Sequence, residues 1–165
     1  MKLSKIKLIT LITFLVLMFS LTSCQVDLSD KMIPGGKTGV LLLDNGNEQA
    51  YLVFGIHPNA TKGLDEFIGE KPVEQVSGGL NARFALSGQK TFTQIDVRPE
   101  SNSTQYDLIY EHADELKVTY HLPTGASMRI TDTLTGKQYD SGDLLGRGSI
   151  KIQNLSSIKI IANWE

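Results

Sequence analysis

Only one of the 165 residues is cysteine, Cys24, and only one is tryptophan, Trp164. A domain lying after Cys24 therefore has no internal disulfide to rely on, and its stability must come from apolar burial. Cysteine-ligated metal sites and thiol catalysis are excluded there for the same reason. Beyond residue 24 there is also no persuasive amphipathic helix, no Gly-x-Ser-x-Gly turn for a hydrolase nucleophile, and no basic stripe. With 16 basic and 18 acidic residues the net charge is −2, so no general attraction to nucleic acid is expected.

What the chain does have, from residue 39 onward, is short alternating segments separated by turn residues. Val40-Leu41-Leu42-Leu43 runs into Asp44-Asn45-Gly46-Asn47, and a second apolar segment follows. Asn-Gly accepts the positive φ of a tight two-residue turn, so a hairpin is expected there. Later segments alternate more cleanly. Leu80, Ala82, Phe84 and Leu86 fall on one face; so do Thr93, Ile95 and Val97, then Val118, Tyr120 and Leu122, and then Ile158, Ile160 and Ala162. Period-two alternation gives each strand one buried and one wet face. About nine such segments predict an all-β fold, an antiparallel β-sandwich of the immunoglobulin or fibronectin kind over residues 39–165. Between residues 55 and 79 lies a long connection broken by Pro58, Gly63, Gly69 and Pro72, expected to be an ordered loop with at most one helical turn.

The N-terminus has a different character. Lys2, Lys5 and Lys7 precede a 14-residue apolar stretch, residues 8–21, which has the length of a signal-peptide core and is too short to span a bilayer. Leu21-Thr22-Ser23-Cys24 follows at once. This resembles the lipobox of bacterial lipoproteins. The resemblance implies a signal peptide over 1–23, cleavage before Cys24, lipidation of its thiol by palmitate-type chains, and a tether over 24–38. Two or three acyl chains make such an anchor stable, whereas one binds only marginally. Gln25 after the cysteine, rather than Asp, implies a place in the outer membrane for a double-membraned cell. Loss of the three lysines would leave 13 basic and 18 acidic residues, a net charge of −5.

A second likeness lies in the body of the chain. Phe54-Gly55, Ala60-Thr61-Lys62-Gly63-Leu64-Asp65, Gly69-Glu70-Lys71-Pro72, Ala82-Arg83-Phe84 and Asp96-Val97-Arg98 occur in that order. Together they resemble a repeated β-sandwich module of large secreted and surface proteins of bacteria. Lys62 stands where that module usually has an acidic residue. The resemblance implies a sandwich in a surface or secreted setting and implies no reaction.

Candidate chemistry is sparse. His57, His112 and His121 lack metal-ligand spacing. Asp65-Glu66, Asp114-Glu115 and Asp140 with Asp143 are acidic pairs in loops, where solvation and turn formation explain them. Asp96 and Arg98 share a strand face and are expected to form a surface ion pair of roughly 0–1 kcal/mol, with Arg83 extending it. Asp44 to Glu48, and Asp65-Glu66 with Glu70, are oxygen-rich enough to raise structural calcium, although neither completes an EF-hand loop. Sugar binding would need exposed rings; Tyr106, Tyr110 and Tyr120 read as core, and Trp164 as closing one end of the sandwich.

These features favour a lipid-anchored, non-catalytic envelope module that contacts protein or glycan, with no cofactor, metal or nucleic-acid partner. The candidate ligand residues are His57, Thr61, Asp65 and Glu70 in the long loop. Two readings compete with it: a hydrolase or carbohydrate-processing accessory using loop carboxylates, and a structural calcium-binding envelope protein. An enzyme predicts Asp65, Glu70 and Asp143 converging in a cleft.

Overall fold

The structure, a computed structural model, describes residues 28–74, 78–86, 91–111, 115–140, 142–153 and 157–165. Cys24, the expected signal peptide, His112 and Asp114 lie outside the described residues. Eleven strands form two sheets: β1 (Lys37–Asp44), β2 (Gln49–Ile56), β3 (Arg83–Ala85), β4 (Phe92–Thr93), β5 (Ile95–Arg98), β6 (Ser103–Ile109), β7 (Glu115–His121), β8 (Ala126–Asp132), β9 (Leu144–Leu145), β10 (Arg147–Gln153) and β11 (Ser157–Trp164). The first sheet has the order β10-β7-β1-β2-β5 and the second β4-β3-β6-β11-β8-β9. Every pairing is antiparallel except β2 with β5, which run parallel with Val53 beside Ile95. The fold is an all-β sandwich, as the alternation predicts. Two strands go beyond the nine expected: the segment expected at 93–98 is divided between β4 and β5, and β9 is two residues long, too short to leave a periodic signal.

The core lies between the sheets. Leu41, Leu43, Leu52 and Phe54 of the first sheet meet Phe84, Tyr106, Leu108, Met128, Ile130 and Ile160 of the second, all at most 2% exposed. Phe54 sits at its centre, edge-on to Tyr106 at 5.2 Å between ring centroids and 5.9 Å from Trp164. Such tilted contacts set the positive ring edge against the negative face of the neighbour. Tyr106, Tyr110, Tyr120 and Trp164 are all buried.

Two local expectations change. The β1–β2 hairpin is present, but Asp44 pairs with Gln49, leaving a four-residue loop rather than a two-residue turn. Side chains build that loop. Asp44 Oδ1 accepts from the Gly46 amide at 2.7 Å, and Asn45 Oδ1 accepts from the amides of Asn47 and Glu48. The oxygen-rich run is thus occupied by backbone donors, as Asx-type turns require.

The second change concerns 93–98. These residues do not form one strand. At Gln94 the chain leaves the second sheet for the first, and the Thr93 hydroxyl brackets the step by accepting from the Ile95 amide and donating to the Ile95 carbonyl. One residue is lost from the alternation, which reverses the phase. Thr93 points inward beside Phe84, whereas Ile95 and Val97 point outward, and it is Asp96 and Arg98 that face the second sheet.

The first sheet is also covered on its outer side. Leu28, 1% exposed, packs on Val40, Leu42 and Val53, with Met32 and Ile33 beside them. Ala60 and Ile68 of the long loop cover Val97. The described part of the expected tether, residues 28–38, is therefore folded onto the sandwich, and β1 begins within it. This explains the unbroken Val40-Leu41-Leu42-Leu43 run: a strand buried on both faces has no wet side to alternate with.

Candidate functional site

The loop after β2 begins at the close approach of Gly55 to β1. A Cβ on Gly55 would lie 2.4 Å from the Lys37 carbonyl oxygen and 2.7 Å from Thr38, so no side chain fits. The Gly55 carbonyl accepts from the Tyr106 hydroxyl at 2.6 Å. His57 then turns the chain: its amide donates to the Arg98 carbonyl, and its Nδ1 accepts from the Asn59 amide at 3.1 Å. Its ring lies edge-on to Phe67, 6.0 Å between centroids.

Two carboxylates hold the rest of the loop. Asp65 accepts from the Thr61 amide at 2.6 Å through Oδ2 and from the Thr61 hydroxyl at 3.0 Å through Oδ1. Glu70 accepts from the Asp65 amide and from the Val97 amide, both at 2.7 Å, one on each oxygen. Between them lies the 3-10 turn Glu66–Ile68, ended by Gly69 at φ +89°, a left-handed conformation suited to glycine. Glu70 is fully buried and Asp65 is 6% exposed. Burial pushes the Glu70 carboxyl up to about 7 against the pull of its two backbone donors, and Asp96 and Asp65 add to the rise.

Of the four loop residues expected to contact a ligand, Thr61, Asp65 and Glu70 are brought together, while His57 stands apart against Phe67. The carboxylates point into the protein and are occupied by backbone amides. Asp143 is elsewhere, paired with Arg129 at 2.6 Å, so the three carboxylates whose convergence would mark an enzyme do not converge.

Beside the loop opens a cleft of about 410 Å³, lined by Thr61, Lys62 and Gly63, by Leu86, by Asp96 and Arg98, and by the 99–101 connection with Thr104. Its floor is an ion pair that strand alternation predicts on the surface. Asp96 is 2% exposed and takes Arg98 Nε at 3.0 Å on one oxygen and Nη2 at 2.7 Å on the other. The phase reversal at Gln94 is what turns this pair inward. The Arg98 guanidinium also donates to the Gln105 carbonyl and lies over the Tyr106 ring, 4.7 Å from its centroid. Burial raises the Asp96 carboxyl above the usual carboxylate range, although Arg98 opposes the shift. Behind the cleft the Thr104 hydroxyl donates to Tyr106 and accepts from Trp164 Nε1, each at 2.8 Å.

Arg83 does not extend this network. It is 3% exposed, pairs with Glu111 at 2.9 Å and stacks over Phe92 at 4.7 Å. Among the lining residues Glu100, Ser101 and Thr104 had no signal of their own in the sequence, because chain crossing brings them together; Lys62 stood out only as a departure from the module's pattern. Among the described residues none that lines the cleft is aromatic, and no group of three or more His, Cys, Asp or Glu is placed to hold a metal. The motifs at 54–55, 60–65, 69–70 and 96–98 meet in this one corner, where each has a backbone or ion-pair task. Compared with protein-family models, with curated proteins and with solved structures, the chain matches none.

Proposed function

We propose that this chain is a lipid-anchored envelope protein, and that its sandwich is a non-catalytic binding module whose recognition site is the cleft beside the 57–74 loop. The anchor rests on the order Lys-rich start, 14 apolar residues and Leu21-Thr22-Ser23-Cys24. The binding site rests on one observation: a cleft lined mainly by polar and charged residues and walled by a loop that two buried carboxylates hold in shape. A preformed wall spares a ligand the entropy of ordering it. Lys62 and Glu100 give the rim one charge of each sign, while the Asp96–Arg98 pair leaves the floor near neutral. With no ring for a sugar to stack on, a polar polypeptide segment is the ligand this lining fits best, and an envelope glycan is the alternative.

A non-catalytic role is supported by the state of the carboxylates. Both oxygens of Glu70 accept backbone amides and both oxygens of Asp96 accept Arg98, so each carboxylate is held by protein donors rather than presented to a substrate, as general acid–base work needs. The test uses acylated full-length protein on peptide and glycan arrays, with Lys62→Glu beside the wild type. Peptides retained by the wild type and lost by at least about tenfold in the variant, the scale of one good polar contact, support the reading. Glycans retained in their place select the alternative, and no ligand on either array overturns it. Fatty-acid labelling abolished by Cys24→Ser tests the anchor.

A further inference from the structure

We infer that the outer face of the first sheet lies against the lipid surface, with the bilayer carrying the anchor as its partner. The inference rests on the lipid-anchor reading above and adds an orientation to it. Its basis is where the packed chain begins. Leu28 is 1% exposed and wedged on Val40, Leu42 and Val53, in the middle of that face. The segment it heads is fixed at several points: Lys31 and Met32 amides donate to the Leu28 and Ser29 carbonyls, and the Ile33 amide donates to the buried Thr38 hydroxyl at 2.9 Å. Leu28 is therefore a fixed point on the sandwich rather than part of a spacer.

Cys24 is four residues upstream. Four residues of fully extended chain reach roughly 14 Å, about the thickness of one layer of side chains and headgroups. A domain on so short a leash cannot turn its opposite face to the membrane, because the second sheet lies a further ~10 Å away across the core. The face held down carries Tyr51, 41% exposed with Lys31 Nζ 6.0 Å from its ring centroid, the amphipathic pairing suited to a headgroup layer. Its remaining charges, Lys117, Lys151 and Arg147 against Asp44 and Glu115, come close to balance, so the leash rather than electrostatic attraction sets the posture. The cleft, at the β5 edge, then opens sideways above the lipid, and the second sheet faces away from it.

The experiment uses full-length protein, shown by mass to be acylated, in vesicles of phosphatidylethanolamine and phosphatidylglycerol with an energy acceptor on a fraction of the headgroups. Acylation consumes the Cys24 thiol as a thioether, so Ser149→Cys on the outer face of the first sheet and Gln105→Cys on that of the second each offer one thiol for a donor dye. Transfer from position 149 is expected to exceed that from 105 by roughly twofold, given the ~10 Å or more between the faces. A Gly/Ser insert of about 15 residues after Asp27, with an r.m.s. reach of ~20 Å, should equalise the two, while raised salt should leave the native ratio unchanged. Equal transfer without the insert, or a bias that survives it or collapses in salt, overturns the orientation and leaves the anchor standing. Protein that carries no acyl group by mass overturns both.

Discussion

The two halves of the first sheet are built from the same kind of strand and held by different means. The β1–β2–β5 half is covered on both faces, by the core within and by residues 28–33 and the 57–70 loop outside. The β7–β10 half has the core on one face only, and its other face is wet, with Lys151 and Glu115 paired at 2.6 Å in solvent. Leu42 and Thr119 make the contrast local: they are cross-strand partners on the same face, one 3% exposed and the other half-buried among polar neighbours. Covering a sheet twice excludes water from its edge, and that exclusion is what raises the stakes of the polar groups placed there. In the covered half a carboxylate must be fully paired; in the bare half water completes any pair left open.

The largest expected effect comes from breaking the pair inside the covered half. Arg98→Ala leaves Asp96 buried without its guanidinium, and chemical denaturation should show a loss of about 3–5 kcal/mol. A loss below about 1 kcal/mol would mean that the pair behaves as a surface one and that the cleft floor is wet.

Next comes the outer layer itself. Leu42→Ala should cost about 2–4 kcal/mol as a buried large-to-small change, whereas Thr119→Ala, its neighbour across the strands, should stay within about 0.5 kcal/mol. Equal costs at the two positions would erase the distinction between the halves, because they would show that Leu28 and its neighbours do not cover the sheet.

The smallest effect is a pH dependence. The folded Glu70 carboxyl titrates near 7, above its ordinary 4.5, so the native state holds this proton more tightly than the unfolded chain. Its contribution is fully present below about pH 4.5 and is lost as pH rises through 7. Between pH 5 and 8 the melting temperature should fall by about 3–6 °C more in the wild type than in Glu70→Gln, which carries no charge in that window. Parallel curves for the two proteins would remove Glu70 as the titrating clamp.

Much of the sandwich was legible in order along the chain. Alternation at 116–122, 126–132 and 157–164 gives strands with the expected inward residues, and the prolines and glycines of the described stretch 55–74 give an ordered loop with one 3-10 turn. The candidate site was legible only as a set of residue types. As polar residues of a long loop, Thr61, Asp65 and Glu70 read as ligand contacts, yet in the fold the two carboxylates accept backbone amides of their own loop and of β5. Period two carried through Gln94 predicts Asp96 and Arg98 outside, but the chain changes sheets at that residue.

Periodicity and turn chemistry are local properties, so the sequence by itself determined that this is a β-sandwich, most of the residues that enter its core, where its hairpin and long loop fall, and that its one thiol follows an apolar stretch. Only the tertiary structure decided that residues 28–33 form a second cover on the first sheet, that a one-residue phase slip turns an ion pair inward, and that two loop carboxylates serve as fasteners. The physical reason is common to all three: whether a polar or apolar side chain meets water depends on which distant segment lies over it, and a strand's own alternation carries no record of that segment.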